Sequence, residues 1–151
     1  MCTVSEMLAR FEQVAEQTTA IAGEAMLENK EPIIGLLINQ QVEQNVDSAD
    51  NELRPYKSQY KALKERYVPG FKGKTDFELT GEFHAEMNLR EDGTEYEFNS
   101  PALTEKGELK SEWLTNWNGS EIMSLTPENK ELVWPIIYDD FVNKVKKILK
   151  L

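Results

Sequence analysis

Apolar positions recur at three- and four-residue steps from the start of the chain: Val4, Met7, Leu8, Phe11, Val14, Ala15, Thr18, Ile21, Ala22 and Ala25. That period marks one face of a helix. Thr3 and Glu6 have the spacing of a capping box at its start. The stretch 29–46 repeats the period through Ile33, Ile34, Leu37, Ile38 and Val42, with Pro32 suited to a first turn. Its second half is amide-rich: Asn39, Gln40, Gln41, Gln44 and Asn45. A third, basic helix is expected from about Pro55 to Tyr67, with Tyr56, Tyr60, Leu63 and Tyr67 in one stripe. A Pro-Gly loop follows (Pro69, Gly70, Gly73) and is the stretch expected to move most.

The period then changes to two. Phe83, Ala85, Met87 and Leu89 alternate with polar residues, and so do Tyr96 and Phe98. Between them Asp92-Gly93 reads as a type I′ hairpin turn. That turn would pair Glu91 with Thr94, Arg90 with Glu95 and Leu89 with Tyr96, leaving the apolar residues on one face. A helix from about Thr104 to Trp117 should turn Leu109, Trp113, Leu114 and Trp117 inward. The last helix opens with Thr126 as N-cap and Pro127 in its first position. Its stripe runs from Leu132 and Val133 through Ile136, Ile137, Phe141 and Val145 to Ile148 and Leu149. Pro135 should kink it or split it at Trp134.

These elements describe one α+β domain over 1–151, mostly helical, with a small antiparallel sheet on a hairpin at about 83–100. The helical N-terminal part covers about 3–67, the β part about 76–100 and the helical C-terminal part about 104–150. A chain of 151 residues is long enough to bury a core without disulfides or metals. The lone Cys2 reads as a free thiol. The first residues have helical spacing and glutamates rather than a signal sequence, and no apolar run approaches a membrane span; the expected site of folding is a cytosol.

Charge and chemistry narrow the function. With 17 basic and 27 acidic residues the net charge is -10, which argues against a general grip on nucleic acid. Asp47 to Glu52 resembles the opening of a calcium loop, but Ala49 and Ser58 stand where ligands are needed, so it reads as a turn closed by its own side chains. The single histidine, His84, falls on the outer face of the first expected strand beside Glu86. A hydrolase or metal protein would have to use it with Glu82 or Glu86, and no nucleophile motif surrounds it. Thr80, Gly81 and Phe83 read more simply as a backbone joint leading into the strand, since Gly takes conformations closed to other residues.

The order of these features resembles small structural proteins of tailed bacteriophages and prophages, above all those of Bacteroides-type hosts. The matching residues are Asp47, Tyr56, Tyr60, Lys64, Leu79, Thr80, Gly81, Phe83, Leu125, Thr126, Glu128 and Asn129. The Thr-Gly joint is similar to an element of tail-completion and virion-morphogenesis proteins, with Leu79 where those proteins usually carry Asp. The resemblance implies a structural role at the head–tail neck or tail-completion ring, in the virion after assembly in the host cytoplasm. It implies neither catalysis nor cofactor, and partners that are other virion proteins (connector, tail tube) and further copies of the chain. A negative lumen would then let DNA slide past without sequence-specific binding. A prophage or bacterial protein-interaction module is the alternative. The expected contact surfaces are the basic helix (Tyr56, Lys57, Tyr60, Lys61, Lys64) and an acidic hairpin face (Glu82, Glu86, Glu95, Glu97) of a neighbouring copy.

Overall fold

A computed structural model describes residues 2–78, 81–93 and 95–151. Among these, α1 spans Val4–Glu28 and α2 spans Lys30–Asn39, continued by a π-helical turn at Gln40–Gln44. α3 is Ser58–Tyr67 and α4 a single turn at Glu82–Ala85. The strands β1 (Asn88–Asp92) and β2 (Glu95–Asn99) form a two-stranded antiparallel sheet. α5 (Lys110–Asn118), a 3₁₀ turn at Ser120–Met123, α6 (Pro127–Glu131) and α7 (Val133–Leu149) complete a mostly helical α+β fold.

Local chemistry sets several boundaries as expected. The Thr3 side chain accepts from the Glu6 N–H while the Glu6 carboxylate accepts from the Thr3 N–H, completing the capping box. Thr126 accepts from the Asn129 N–H with Pro127 behind it. The Asp47 carboxylate accepts from the N–H groups of Ala49 and Asn51, which closes the 47–52 turn.

α1 and α7 pack antiparallel: Asn29 meets Asp140, Lys144 meets Glu24 and Glu28, and Arg10 reaches the Leu149 carbonyl. α2 packs against both helices and against β1, β1 also meets α1, and α5 packs on the 3₁₀ turn. Ala25, Ile33, Leu37, Phe77, Phe83, Leu114, Ile122 and Ile137 form the core between them. Gly23 gives the closest approach. An added Cβ there would sit 1.6 Å from the Tyr96 hydroxyl, so β2 can lie against α1 only because that side chain is missing.

Four expectations need correction. The chain does not enter a strand at Phe83; the joint leads into α4, and the strand begins at Asn88. The hairpin register is displaced by two positions, so Leu89 pairs with Phe98, Arg90 with Glu97 and Asp92 with Glu95. Asp92 stays in the ladder and Gly93, with φ 64, opens the turn. An even slip keeps each side chain on its own face, so Leu89 and Phe98 still pack inward. The terminal helix divides at Leu132 rather than Trp134. Pro135 then falls in the first turn of α7, where its missing N–H costs nothing. Finally, α5 begins at Lys110 rather than Thr104, because 103–109 folds back on itself through a bridge between Leu103 and Leu109. Thr80 and Thr94, to which the joint and the turn also assigned roles, lie outside the described residues, as does Leu79.

Candidate docking groove

The groove is built around a buried ion pair. Lys64, on α3, places Nζ 2.7 Å from Asp76 Oδ1, with side chains only 4% and 11% exposed. A buried charge needs every neighbour to contribute. Here the Tyr56 hydroxyl donates to the same carboxylate oxygen at 2.9 Å, and the Glu78 N–H does so at 3.0 Å. Lys64 also donates to the Glu78 carbonyl and lies 5.1 and 4.7 Å from the ring centres of Tyr56 and Phe71. Tyr56 in turn accepts from the Phe77 N–H at 3.1 Å. Phe77 is fully buried with φ 56, an uncommon conformation for a bulky residue, held by these bonds and by its edge contact with Phe83. Burial, and after it the negative charge of Asp76, raise the Tyr56 phenol well above its usual range; the same two causes raise Tyr60.

With its hydroxyl fixed, Tyr56 presents its ring outward. It stacks on Trp117 at 5.7 Å with planes 8° apart, and Tyr60 meets its edge at 4.9 Å. Trp117 stacks on Trp113 at 5.9 Å. Four aromatic rings, Tyr56 just before α3, Tyr60 on α3 and Trp113 and Trp117 on α5, thus run along one side of a groove of about 1080 Å³. Leu103, Glu82 and Lys110 also line it, and Lys110 pairs with Glu82 at 2.9 Å. That volume lies just above the roughly 300–1,000 Å³ of most small-molecule sites.

Of the expected contact residues, the structure brings Tyr56, Lys57, Tyr60 and Glu82 together at this groove. Lys61 stays on the exposed side of α3, and Lys64 is buried, so it cannot meet a partner. Leu63 and Tyr67, expected in one stripe with Tyr56 and Tyr60, are exposed; the buried side of α3 is the one bearing Lys64. Glu86 and Glu95 are exposed, while Glu97 is held by Arg90 across the sheet. Trp113, expected inward, is 48% exposed at the groove. Gly81 does carry the left-handed conformation (φ 83) that the joint requires.

His84 is not on an outer face. It is buried, with Nε2 2.9 Å from Gln41 Oε1. Gln41 donates its own amide to the Ile122 carbonyl, which fixes its oxygen towards the imidazole and makes His84 Nε2 the donor. Nδ1 is buried without a hydrogen-bond partner. Burial is the main cause that lowers the His84 pKa to about 4, helped by the Lys64 charge and opposed by Asp76. Glu82 faces Lys110 instead, so neither expected carboxylate is paired with the imidazole.

The neighbouring Gln40, also fully buried, donates to the Ser124 carbonyl and accepts from the Thr126 N–H and the Asn129 amide. Sequence reading found no role for this amide pair. Two adjacent glutamines continuing an apolar helix face were the available signal. Among the described residues no group of three or more His, Cys, Asp or Glu side chains is placed to hold a metal. No described helix is long and apolar enough to cross a membrane. Comparison with protein-family models, curated proteins and solved structures finds no match for this chain.

Proposed function

We propose that the protein is a non-enzymatic structural or assembly protein of a tailed bacteriophage or prophage virion, of the neck or tail-completion type. It would dock a neighbouring virion protein in the groove beside Tyr56, Tyr60, Trp113 and Trp117. The observation that supports docking is the half-exposed Trp113 at the end of a stacked aromatic run. Aromatic anchors of this kind, set on rigid elements, contribute most of the affinity at protein interfaces. The ion pair beneath Tyr56 holds the run in place before a partner arrives, which lowers the entropic cost of binding. The virion assignment itself rests on the sequence resemblance.

Mass spectrometry of purified particles produced from the encoding genome tests the virion reading. The chain should be present at a fixed copy number per particle, and its absence from particles would exclude that reading. The groove is tested separately with Trp113→Ala, which should leave the fold intact and prevent incorporation. Normal incorporation of that variant would move the docking surface elsewhere.

A further inference from the structure

The aromatic wall of the groove has the spacing of a helix surface. Trp113 and Trp117 stand four residues apart on α5 and stack at 5.9 Å, so they make an i, i+4 ridge along that helix. Tyr56 and Tyr60 extend the row in steps of 5.7 and 4.9 Å. These steps match the roughly 5–6 Å between neighbouring side chains on a helix. Alternate side chains of a strand repeat at about 6.4–6.8 Å, and a polyproline helix repeats at about 9 Å. Helices pack by seating the ridges of one between the ridges of the other.

The backbone of an occupant is a second constraint. An extended segment brings N–H and C=O groups that need partners in the wall. Among the described residues no strand lines the groove. In the 103–109 fold-back, Thr104 gives its N–H to the Glu108 carbonyl and accepts from the Gly107 N–H. The Tyr56 hydroxyl, which would otherwise serve a peptide carbonyl, donates to Asp76 and accepts from Phe77. Lys110 is held by Glu82. A helix arrives with its backbone hydrogen bonds already made. It needs only apolar side chains to cover Trp113 and Leu103, which are 48% and 52% exposed.

We infer that the groove receives one amphipathic helix of a partner protein, with apolar residues at i, i+3 or i+4, and i+7 set against the aromatic row. This rests on the reading of the groove as a docking site and does not depend on the virion assignment. Charge complementarity sets the direction of the helix. Lys57, an exposed cation lining the groove, sits at the start of α3 beside Tyr56 and Tyr60. Beyond the Glu82–Lys110 pair, the exposed carboxylate lining the groove is Glu105. It lies in the fold-back that the bridge between Leu103 and Leu109 ties to the start of α5, the Trp113 end of the row. The row therefore runs from a basic end to an acidic one. A helix carries partial positive charge at its N-terminus and partial negative charge at its C-terminus. Its N-terminus accordingly lies at Glu105 and its C-terminus at Lys57.

The test is selection from three yeast-displayed peptide libraries with the full chain as bait. One library places apolar residues in the helical pattern, one in strict alternation and one on a proline-rich frame. Clones of the helical library should be enriched. Trp113→Ala should weaken their binding by about tenfold or more, and Leu103→Asp, on the fold-back, should do the same. The circular dichroism of both variants should match wild type. Lys57→Glu combined with Glu105→Lys should weaken the best clone by about threefold to tenfold. Enrichment of alternating or proline-rich clones that depend on Trp113 would overturn the helix while keeping the groove as a docking site. The absence of Trp113-dependent clones from all the libraries would overturn both. Unchanged or tighter binding to the charge-swapped variant would overturn the direction.

Discussion

Lys64 and Asp76 form a buried ion pair at 2.7 Å that supports the aromatic run without taking part in its surface. Removing one member strands the other. Lys64→Ala should cost about 3–5 kcal/mol, the usual consequence of leaving a buried charge unpaired. Lys64→Met combined with Asp76→Asn should recover much of that loss, because the Asn oxygen still accepts from Tyr56 and the Glu78 N–H. Urea midpoints of the single and double variants check this. Charge reversal on α3 as a probe of docking must therefore be confined to Lys57 and Lys61.

Burial of His84 makes stability depend on pH. Its folded pKa of about 4 lies below the usual 6.5, so the unfolded chain binds the extra proton between these two values. Stability from this group is complete above about pH 6.5 and is lost as the pH falls towards 4. The full difference is on the order of 3 kcal/mol at about 1.4 kcal/mol per unit. His84→Gln should flatten that part of the stability–pH curve. An unchanged slope between pH 6.5 and 4 would show that the imidazole is not the group responsible. His84→Ala, harmless if the residue stood on an outer face, should instead destabilise, because it opens a cavity and leaves Gln41 without its donor.

Gly81 and Gly93 both hold positive φ (83 and 64), and nothing crowds an added Cβ at either position. Their cost on substitution is thus one of backbone alone. Gly81→Ala and Gly93→Ala should each destabilise by about 1–2 kcal/mol, with Val worse than Ala because branching resists the left-handed region. Equal melting midpoints for wild type and Gly93→Val would refute the turn.

Gly23 differs from both, since its φ is ordinary and the obstacle is Tyr96. Gly23→Ala should cost about 1–3 kcal/mol by overpacking. Tyr96→Phe in the same chain should relieve part of it by removing the hydroxyl that lies nearest. A double-mutant cycle measures the coupling.

Features resting on neighbouring residues were legible in the sequence. The Thr3–Glu6 box, the Thr126-Pro127 start and the Asp47 turn each close within a few residues, so the type and spacing of the side chains suffice. The mostly helical α+β class followed from the same signals. What failed depended on distant partners. Lys64 reads as a surface cation until Asp76 arrives from beyond the next loop, and His84 reads as exposed until Gln41 reaches it. The hairpin slipped by two because alternation fixes which face a residue occupies but not which residue lies opposite. Trp113 was placed inward with Leu114, although one helix turn cannot bury both sides; Leu114 took the core and Trp113 the groove.

The π turn at Gln40–Gln44 makes this part of the chain intolerant of added length. A π turn holds one residue more than the α turn it replaces, and here the Asn45 N–H bonds back to the Gln40 carbonyl, five residues away. Loss of one residue from 40–44 would let the helix relax to ordinary pitch with the following chain close to its place, but a residue gained there has no further turn to absorb it. The following chain would then rotate by about 100° and advance by about 1.5 Å. Asn45, which ties the turn to the Thr75 carbonyl, would come out of register with the strand of chain leading to Asp76. The ion pair beneath the aromatic run is thereby indexed to a residue count made more than twenty positions upstream.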